Sequence, residues 1–234
     1  MAELDRRPYT ILTCGISLDG YLDAATQDRL VLSNDADLDR VDTVRAQCDG
    51  ILVGASTVRN DNPCLLVRKP VLRQQRRARG LRETPIKVTM TEHAQLDAGS
   101  NFFATGDCDK LVYCASRSVA MANRRLGTVA TVIDGGQPVS LPHMAEDLYD
   151  RGIRRLMVEG GGRVHTQFLT ADLADELHLV VAPFFVGNSH ANRFVGDGEF
   201  PWNPRHRAHL AETRQIGDVV LLRYGLSSRF AESS

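Results

Sequence analysis

The chain has 234 residues, with 28 Lys and Arg against 29 Asp and Glu and a net charge of −1. That balance excludes a molecule built as a whole to grip nucleic acid or an anionic membrane surface, and no apolar run approaches the length that crosses a bilayer. The length fits one large α/β domain or two small ones, with ordinary apolar and charged fractions.

Tyr9 to Ile16 alternates weakly and reads as a strand, closed by the turn Ser17-Leu18-Asp19-Gly20. Asn34 or Asp35 is expected to cap a helix in which Leu38, Val41, Val44 and Cys48 share a face. Gly50 to Gly54 is a short buried strand, followed by a helix from Ala55 that must end before Pro63. The strongly basic run Arg68 to Arg82 has no interleaved aromatics, so it reads as a solvated loop or short helix rather than a base-stacking surface.

Further strands are predicted over Ile86 to Met90, Lys110 to Ala115 and Val129 to Ile133, with a helix over Val119 to Leu126. A helix containing Met144 to Tyr149 leads into the strand Arg154 to Glu159. Glu176 to Pro183 is a strand, and a Gly/Asn/Pro-rich stretch follows over Gly187 to Pro204. Ala208 to Ile216 and Val219 to Tyr224, separated by Gly217-Asp218, read as a β-hairpin. The polar tail after Leu226 is expected to fray. Strands alternating with helices imply a largely parallel sheet with helices on both faces, made mixed by an antiparallel ending. No repeat or linker divides the chain, so one domain over 1–234 is expected, with a core of about 9–226.

Two runs carry chemistry. Leu156-Met157-Val158-Glu159-Gly160-Gly161-Gly162 is a strand ending in a carboxylate, then three glycines, then a helical segment. Such glycines let a ligand approach the backbone and leave helix N–H groups for an anion; the alternative is a tight turn with no ligand. The second run, Ile51 to Arg68, is again strand, glycine, helix. Thr57 and Asp61 are four apart and share a helix face; the alternative is capping by Ser56 or Thr57 and a helix end at Asp61-Asn62-Pro63. Arg45 and Arg68 suit bidentate phosphate binding, against the alternative of solvated surface charge.

No Ser–His pair, G-x-S-x-G elbow or acid/base carboxylate dyad stands out, which fits a reaction whose chemistry belongs to a cofactor. The five cysteines form no C-x-x-C pair and read as buried, reduced thiols, with no metal site expected. Met1 to Pro8 has no apolar signal core, giving a cytoplasmic expectation.

In this order the motifs Ser17-Leu-Asp-Gly20, Arg45, Val53-Gly54-x-x-Thr57-x-x-x-Asp61-x-Pro63-x-Leu65-x-x-Arg68, Val158-Glu-Gly-Gly161 and Asp175-Glu176-Leu177 resemble the reductase domain of riboflavin biosynthesis. The likeness runs from about Tyr9 to Tyr224. It implies a dihydrofolate-reductase-like three-layer fold and an NADPH-dependent oxidoreductase. The reaction it implies turns the ribosylamino group of a pyrimidine ribosylamine 5′-phosphate into ribitylamino, by opening to an imine and hydride transfer to the imine carbon.

By the same resemblance Gly54, Thr57, Asp61, Gly160, Gly161 and Gly162 hold the cofactor, and Arg45, Leu65, Arg68 and Glu159 contact the substrate. Asp61 and Glu159 are then the catalytic candidates. The partners implied are a small phosphorylated pyrimidine and a second copy in a homodimer, without nucleic acid or membrane. The absence of H-x-E and P-C-x-x-C signatures points to a stand-alone form lacking the zinc deaminase domain. The chain departs from the family at Thr13, Asn62 and Thr91-Glu92; Glu92 beside an NADP 2′-phosphate is unfavourable. Two alternatives stand beside this reading. One is a reductase of the same fold for a related pterin, pyrimidine or small imine or ketone in secondary metabolism. The other is a non-catalytic nucleotide- or nucleic-acid-binding protein using the basic run.

Overall fold

A computed structural model describes residues 6–24 and 30–232. In chain order the elements are β1 (Tyr9–Ile16), α1 (Asp35–Gln47), β2 (Gly50–Gly54), α2 (Ala55–Asp61), α3 (Pro70–Ala78), β3 (Ile86–Thr91), α4 (Asn101–Ala104), β4 (Lys110–Cys114) and α5 (Val119–Leu126). They continue with β5 (Thr131–Asp134), α6 (Leu141–Asp150), β6 (Arg155–Val158), α7 (Gly162–Thr170), β7 (Glu176–Val181), β8 (His209–Ile216), β9 (Val219–Gly225) and α8 (Arg229–Glu232). Contacts group these into two units. The first holds residues 6–8 and Asp42–Met157; the second holds 9–24, 30–41 and 158–232.

The first unit is parallel α/β. Its strands lie in the order β5-β4-β3-β2-β6, and β2, β3, β4 and β5 pair parallel in succession. All five residues of β2 are buried, as a continuous apolar run in a parallel sheet must be. Ile51, Val53, Val58, Leu65, Phe102, Val112 and Leu126 pack in one core, where Phe102 and Phe103 meet edge to face at 4.8 Å. Lys87 is buried on β3 because its Nζ donates to the carbonyls of Phe102 (3.1 Å) and Thr105 (2.7 Å), completing the end of α4. Burial pulls its ammonium down to about 8.

The second unit pairs β1 parallel with β7, then β7 with β9 and β9 with β8 antiparallel. Gly217, at φ +62, makes the tight turn of the expected hairpin. Val180, Ala182, Val219 and Leu221 form its apolar layer.

A buried polar chain ties β7 to α1 and β9. Glu176 accepts from Tyr9 Oη (2.9 Å) and from Arg223, and contacts His178 Nε2 at 2.6 Å. His178 Nδ1 lies 3.1 Å from Arg40 Nη1, and Arg40 Nε donates to Asp37 at 2.7 Å. Burial alone raises the Glu176 carboxyl, but the hydrogen bonds from His178, Arg223 and Tyr9 outweigh it and hold the group at about 2, against an ordinary 4.5. A depressed carboxylate pKa contributes stability that is complete above the unfolded-state value and is lost as pH falls through the folded one. The wild type should therefore lose roughly 3 kcal/mol between about pH 4.5 and 2 from this group. Glu176→Gln should flatten that part of a plot of Tm against pH; an unchanged slope contradicts the assignment.

Several expectations need correction. α1 buries the carboxylates Asp37 and Asp42, while Leu38 and Val41 are only half-buried, because both acids have polar partners inside. β5 starts at Thr131, not Val129, since the N–H groups of Val129 and Ala130 both close onto Leu126 O after α5. The basic run forms α3 with Pro70 in its first turn, and Arg76 is buried rather than solvated. Its guanidinium donates to the carbonyls of Ala46 (3.0 Å), Cys48 (2.7 Å) and Arg82 (2.8 Å).

The tail does not fray at once. Ser227 Oγ and Arg229 Nη1 bond to Asp175, and Phe230 is buried against Gly225; residues 233–234 lie outside the described part. Cys48, Cys108 and Cys114 are buried as expected, whereas Cys14 is half-buried and Cys64 exposed.

Candidate active site

The first unit holds six candidate residues: Arg45 in the last turn of α1, Gly54 at the end of β2, and Thr57, Asp61, Leu65 and Arg68 beyond it. Gly54 is the N-cap of α2 in an extended conformation, and no side chain caps this helix. Capping by Ser56 or Thr57 is thus overturned, and the Thr57 hydroxyl is not spent on it. Thr57 is half-buried and Asp61 exposed, one turn apart on α2. The helix stops at Asn62, which takes the left-handed conformation at φ 43.

Residues 62–69 then run without regular structure. Leu65 sits at φ 48 with its side chain in the apolar core, so it offers a ligand its backbone. The loop is held by side chains. Arg45 Nη1 donates to Leu66 O (3.1 Å), Asp42 accepts from Arg68 N (2.6 Å) and Lys69 N (2.8 Å), and Arg73 Nη1 donates to Val67 O (3.1 Å) and Arg68 O (2.6 Å). Arg45 and Arg68 are therefore brought onto one short segment, with the Arg68 side chain 48% exposed.

Most of the remaining basic run is consumed internally. Arg73 and Arg77 pair with Glu83 at 3.2 and 2.9 Å, and Arg82 lies 3.5 Å from Asp109. A surface hollow of about 650 Å³ lined by Arg59, Gln95, Leu96, Asp97, Ala98 and Arg125 contains none of the candidate residues.

The second unit holds the glycine turn. Glu159 is half-buried. Gly160 takes φ +144 and Gly161 φ +89, conformations an L side chain disfavours. Gly161 is the N-cap of the nine-residue helix α7, again with no side-chain cap. The three glycines serve different ends. A Cβ on Gly160 meets nothing within 4 Å, whereas one on Gly162 falls 2.2 Å from the carbonyl oxygen of Arg193. Open space at Gly160 and an uncapped helix start fit a bound diphosphate; Gly162 is required by packing.

The Arg193 segment is fixed in turn. Phe194 N donates to Gly20 O (3.1 Å), Leu22 N to Asn192 O (2.7 Å), and the Arg193 guanidinium lies over the Tyr21 ring at 4.8 Å. Asp19 of the Ser-Leu-Asp-Gly turn accepts from Ser17 Oγ and from the N–H groups of Val186 (3.0 Å) and Gly187 (2.8 Å). Those bonds, the Ser17 hydroxyl first, hold its carboxyl at about 2. His165, in the first turn of α7, is fully buried beside Phe194, and desolvation lowers its imidazole to about 4, so it is neutral near pH 7.

Sequence reasoning missed Asp42 and the anchoring role of Asp19. A single acid inside a helix of mixed polarity, or within a turn, gives no periodic signal. Glu92 Oε1 accepts from Val139 N (3.2 Å) and its carbonyl from Ser118 Oγ (2.7 Å), so the carboxylate is engaged by the segment after β5.

Strand–glycine–helix steps follow β2 and β6 in this α/β protein, the kind of step that other α/β folds use for nucleotide phosphates. The chain matches the RibD C-terminal domain over residues 8–222 and belongs to that family, the reductase family of riboflavin biosynthesis. It is 32% identical over 82% of its length to a protein of Archaeoglobus fulgidus, 88% of which is covered, named 2,5-diamino-6-ribosylamino-4(3H)-pyrimidinone 5′-phosphate reductase. Its fold is that of a pyrimidine reductase-like protein from Corynebacterium diphtheriae, with TM-score 0.76 and 22% identity, covering 93% of this chain and 91% of the other. A deaminase/reductase structure from Thermotoga maritima gives TM-score 0.74 and 20% identity over 95% of this chain, which spans only 57% of that longer protein.

Proposed function

We propose that the protein reduces the ribosylamino group of 2,5-diamino-6-ribosylamino-4(3H)-pyrimidinone 5′-phosphate to ribitylamino, with NADPH as reductant. The name and comparable length of the Archaeoglobus fulgidus relative support this substrate over its deaminated form. The observation that carries the reading is that Arg45 donates to Leu66 O while Arg68 N donates to Asp42 of the same helix, which ties both arginines to one segment; two guanidinium forks suit a dianionic phosphate.

The residues present fit the cofactor: the open, positive-φ Gly160 and uncapped α7 start suit its diphosphate, and Gly54, Thr57 and Asp61 bound the start and face of α2. Bound NADPH supplies the hydride. The chain's own work is to bind and align. Arg45 and Arg68 hold the phosphate, the Leu65 backbone and the Glu159 carboxylate fix the pyrimidine and ribose, and Asp61 orients a polar group of either ligand. Alignment and exclusion of water lower the barrier to attack on the ring-opened imine carbon.

NADPH is the reductant the family resemblance implies; the Glu92 carboxylate, which accepts from Val139 N at 3.2 Å, is the residue that would oppose a 2′-phosphate placed beside it. The reading includes a cytoplasmic homodimer; β8, last in the strand order and exposed along most of its length, is the surface it would use. No helix among the described residues is long and apolar enough to cross a membrane.

Nicotinamide fluorescence during titration tests the cofactor assignment. NADPH should bind more tightly than NADH, and Thr57→Ala should weaken NADPH roughly tenfold, the loss of one hydrogen bond to a charged group. If neither cofactor binds, the proposal is overturned.

A further inference from the structure

We infer that Asp42 is a positioning residue for recognition of the substrate phosphate, acting through Arg68; this rests on the reading of Arg45 and Arg68 given above. Asp42 is fully buried on α1, a place where an isolated acid is rarely tolerated. Its two oxygens point the same way: Oδ1 accepts from Arg68 N at 2.6 Å and Oδ2 from Lys69 N at 2.8 Å. The Arg68 Nε lies 3.9 Å from Oδ1. The residue is thus restrained at both ends, its backbone by a charge-assisted hydrogen bond and its guanidinium by an ion pair.

Arg45 stands three residues further along the same helix and donates to Leu66 O at 3.1 Å. One turn of α1 therefore grips residues 66–69 at three backbone atoms, in a stretch with no strand or helix of its own. Two cations that clamp one phosphate must keep a fixed spacing, and a loop of this kind does not keep it unaided. Asp42 refers Arg68 to the helix that carries Arg45, so the ordering is done before the ligand arrives. A residue that merely held the loop would change thermal stability and the active fraction. A residue that presents Arg68 changes affinity for phosphate, and only while Arg68 is there.

The test is a double-mutant cycle with Asp42→Asn, Arg68→Ala and the combined variant. It reads KM and kcat for the phosphorylated substrate, and calorimetric affinity for ribose 5-phosphate without cofactor. Asp42→Asn is expected to raise KM and weaken ribose 5-phosphate by about 5- to 20-fold, with kcat and NADPH affinity within about twofold. In the Arg68→Ala background the same change should do nothing further. Should the asparagine variant not fold, Asp42→Ser, smaller and still able to accept one N–H, gives the same reading.

The inference is overturned if Arg68→Ala raises KM while Asp42→Asn does not, or if the Asp42 effect persists undiminished without Arg68. If Arg68→Ala itself leaves KM and ribose 5-phosphate affinity unchanged, the phosphate role of Arg68 falls, and the role of Asp42 with it.

Discussion

Arg68→Ala should raise KM for the phosphorylated substrate by about 10- to 100-fold and leave kcat within about twofold. The size follows from hydrogen bonds to a charged group, worth about 1.5–3 kcal/mol each, with each 1.4 kcal/mol equal to a factor of ten. The split follows from where the interaction acts. A phosphate far from the reacting carbon is bound equally in ground and transition states, so its loss appears in KM.

The side chain is about half exposed, which keeps the estimate at the lower end of what a buried pair shows. The backbone N–H of Arg68 and its bond to Asp42 survive the substitution, so the loop should remain in place. Steady-state kinetics with the phosphorylated and dephosphorylated substrates check this. The dephosphorylated compound should already show the high KM and should not respond to the substitution. A pterin, ketone or other unphosphorylated natural substrate predicts the opposite: good turnover without phosphate and indifference to Arg68.

The second large effect separates two glycines of the same turn. Gly162→Ala should destabilise the protein by about 1–3 kcal/mol, although alanine is the better helix former by up to about 1 kcal/mol. Its Cβ would lie 2.2 Å from the Arg193 carbonyl oxygen, and that segment is pinned to Gly20 and Leu22 by backbone hydrogen bonds. Either the start of α7 or the Arg193 segment must move, and cofactor affinity should fall with the fold. Gly160→Ala is the contrast. Its Cβ enters open space, so the internal penalty is the strain of φ +144, about 1–3 kcal/mol. If the diphosphate approaches here, this variant loses NADPH binding by far more than its drop in Tm explains. Thermal unfolding measured with and without NADPH distinguishes the two. Equal cofactor affinity in Gly160→Ala and wild type would remove the glycine turn from the binding site.

Three consecutive glycines look alike in a sequence, and only the surroundings divide them into a packing glycine and an open one. The same limit explains most of what the sequence did not disclose. Helix α5 and strand β2 were legible because periodicity and apolar runs report burial of hydrocarbon. The hairpin was legible because Gly217-Asp218 has a turn chemistry of its own.

Buried polar residues carry no such signal. Asp42 is fixed by N–H groups 26 and 27 positions away, and Asp19 by N–H groups 167 and 168 positions away. Arg76 looked like one more charge in a basic run, yet it closes the end of α1 through carbonyls 28 and 30 positions earlier. Phe230 was hidden in a polar tail because its partner is a glycine, whose missing side chain makes room for the ring. The motif residues fared better as positions than as roles. Arg45 bonds to the loop that carries Arg68, whereas Leu65 proved to be a core residue with only its backbone to offer.

The most direct measurement is turnover of purified protein with NADPH and 2,5-diamino-6-ribosylamino-4(3H)-pyrimidinone 5′-phosphate, following loss of the reduced nicotinamide and the mass of the product. The account predicts stoichiometric NADPH oxidation and a product heavier by two hydrogens, with little reaction of the dephosphorylated compound. Binding of NADPH without oxidation in the presence of this substrate, or equal rates with and without the phosphate, would contradict it.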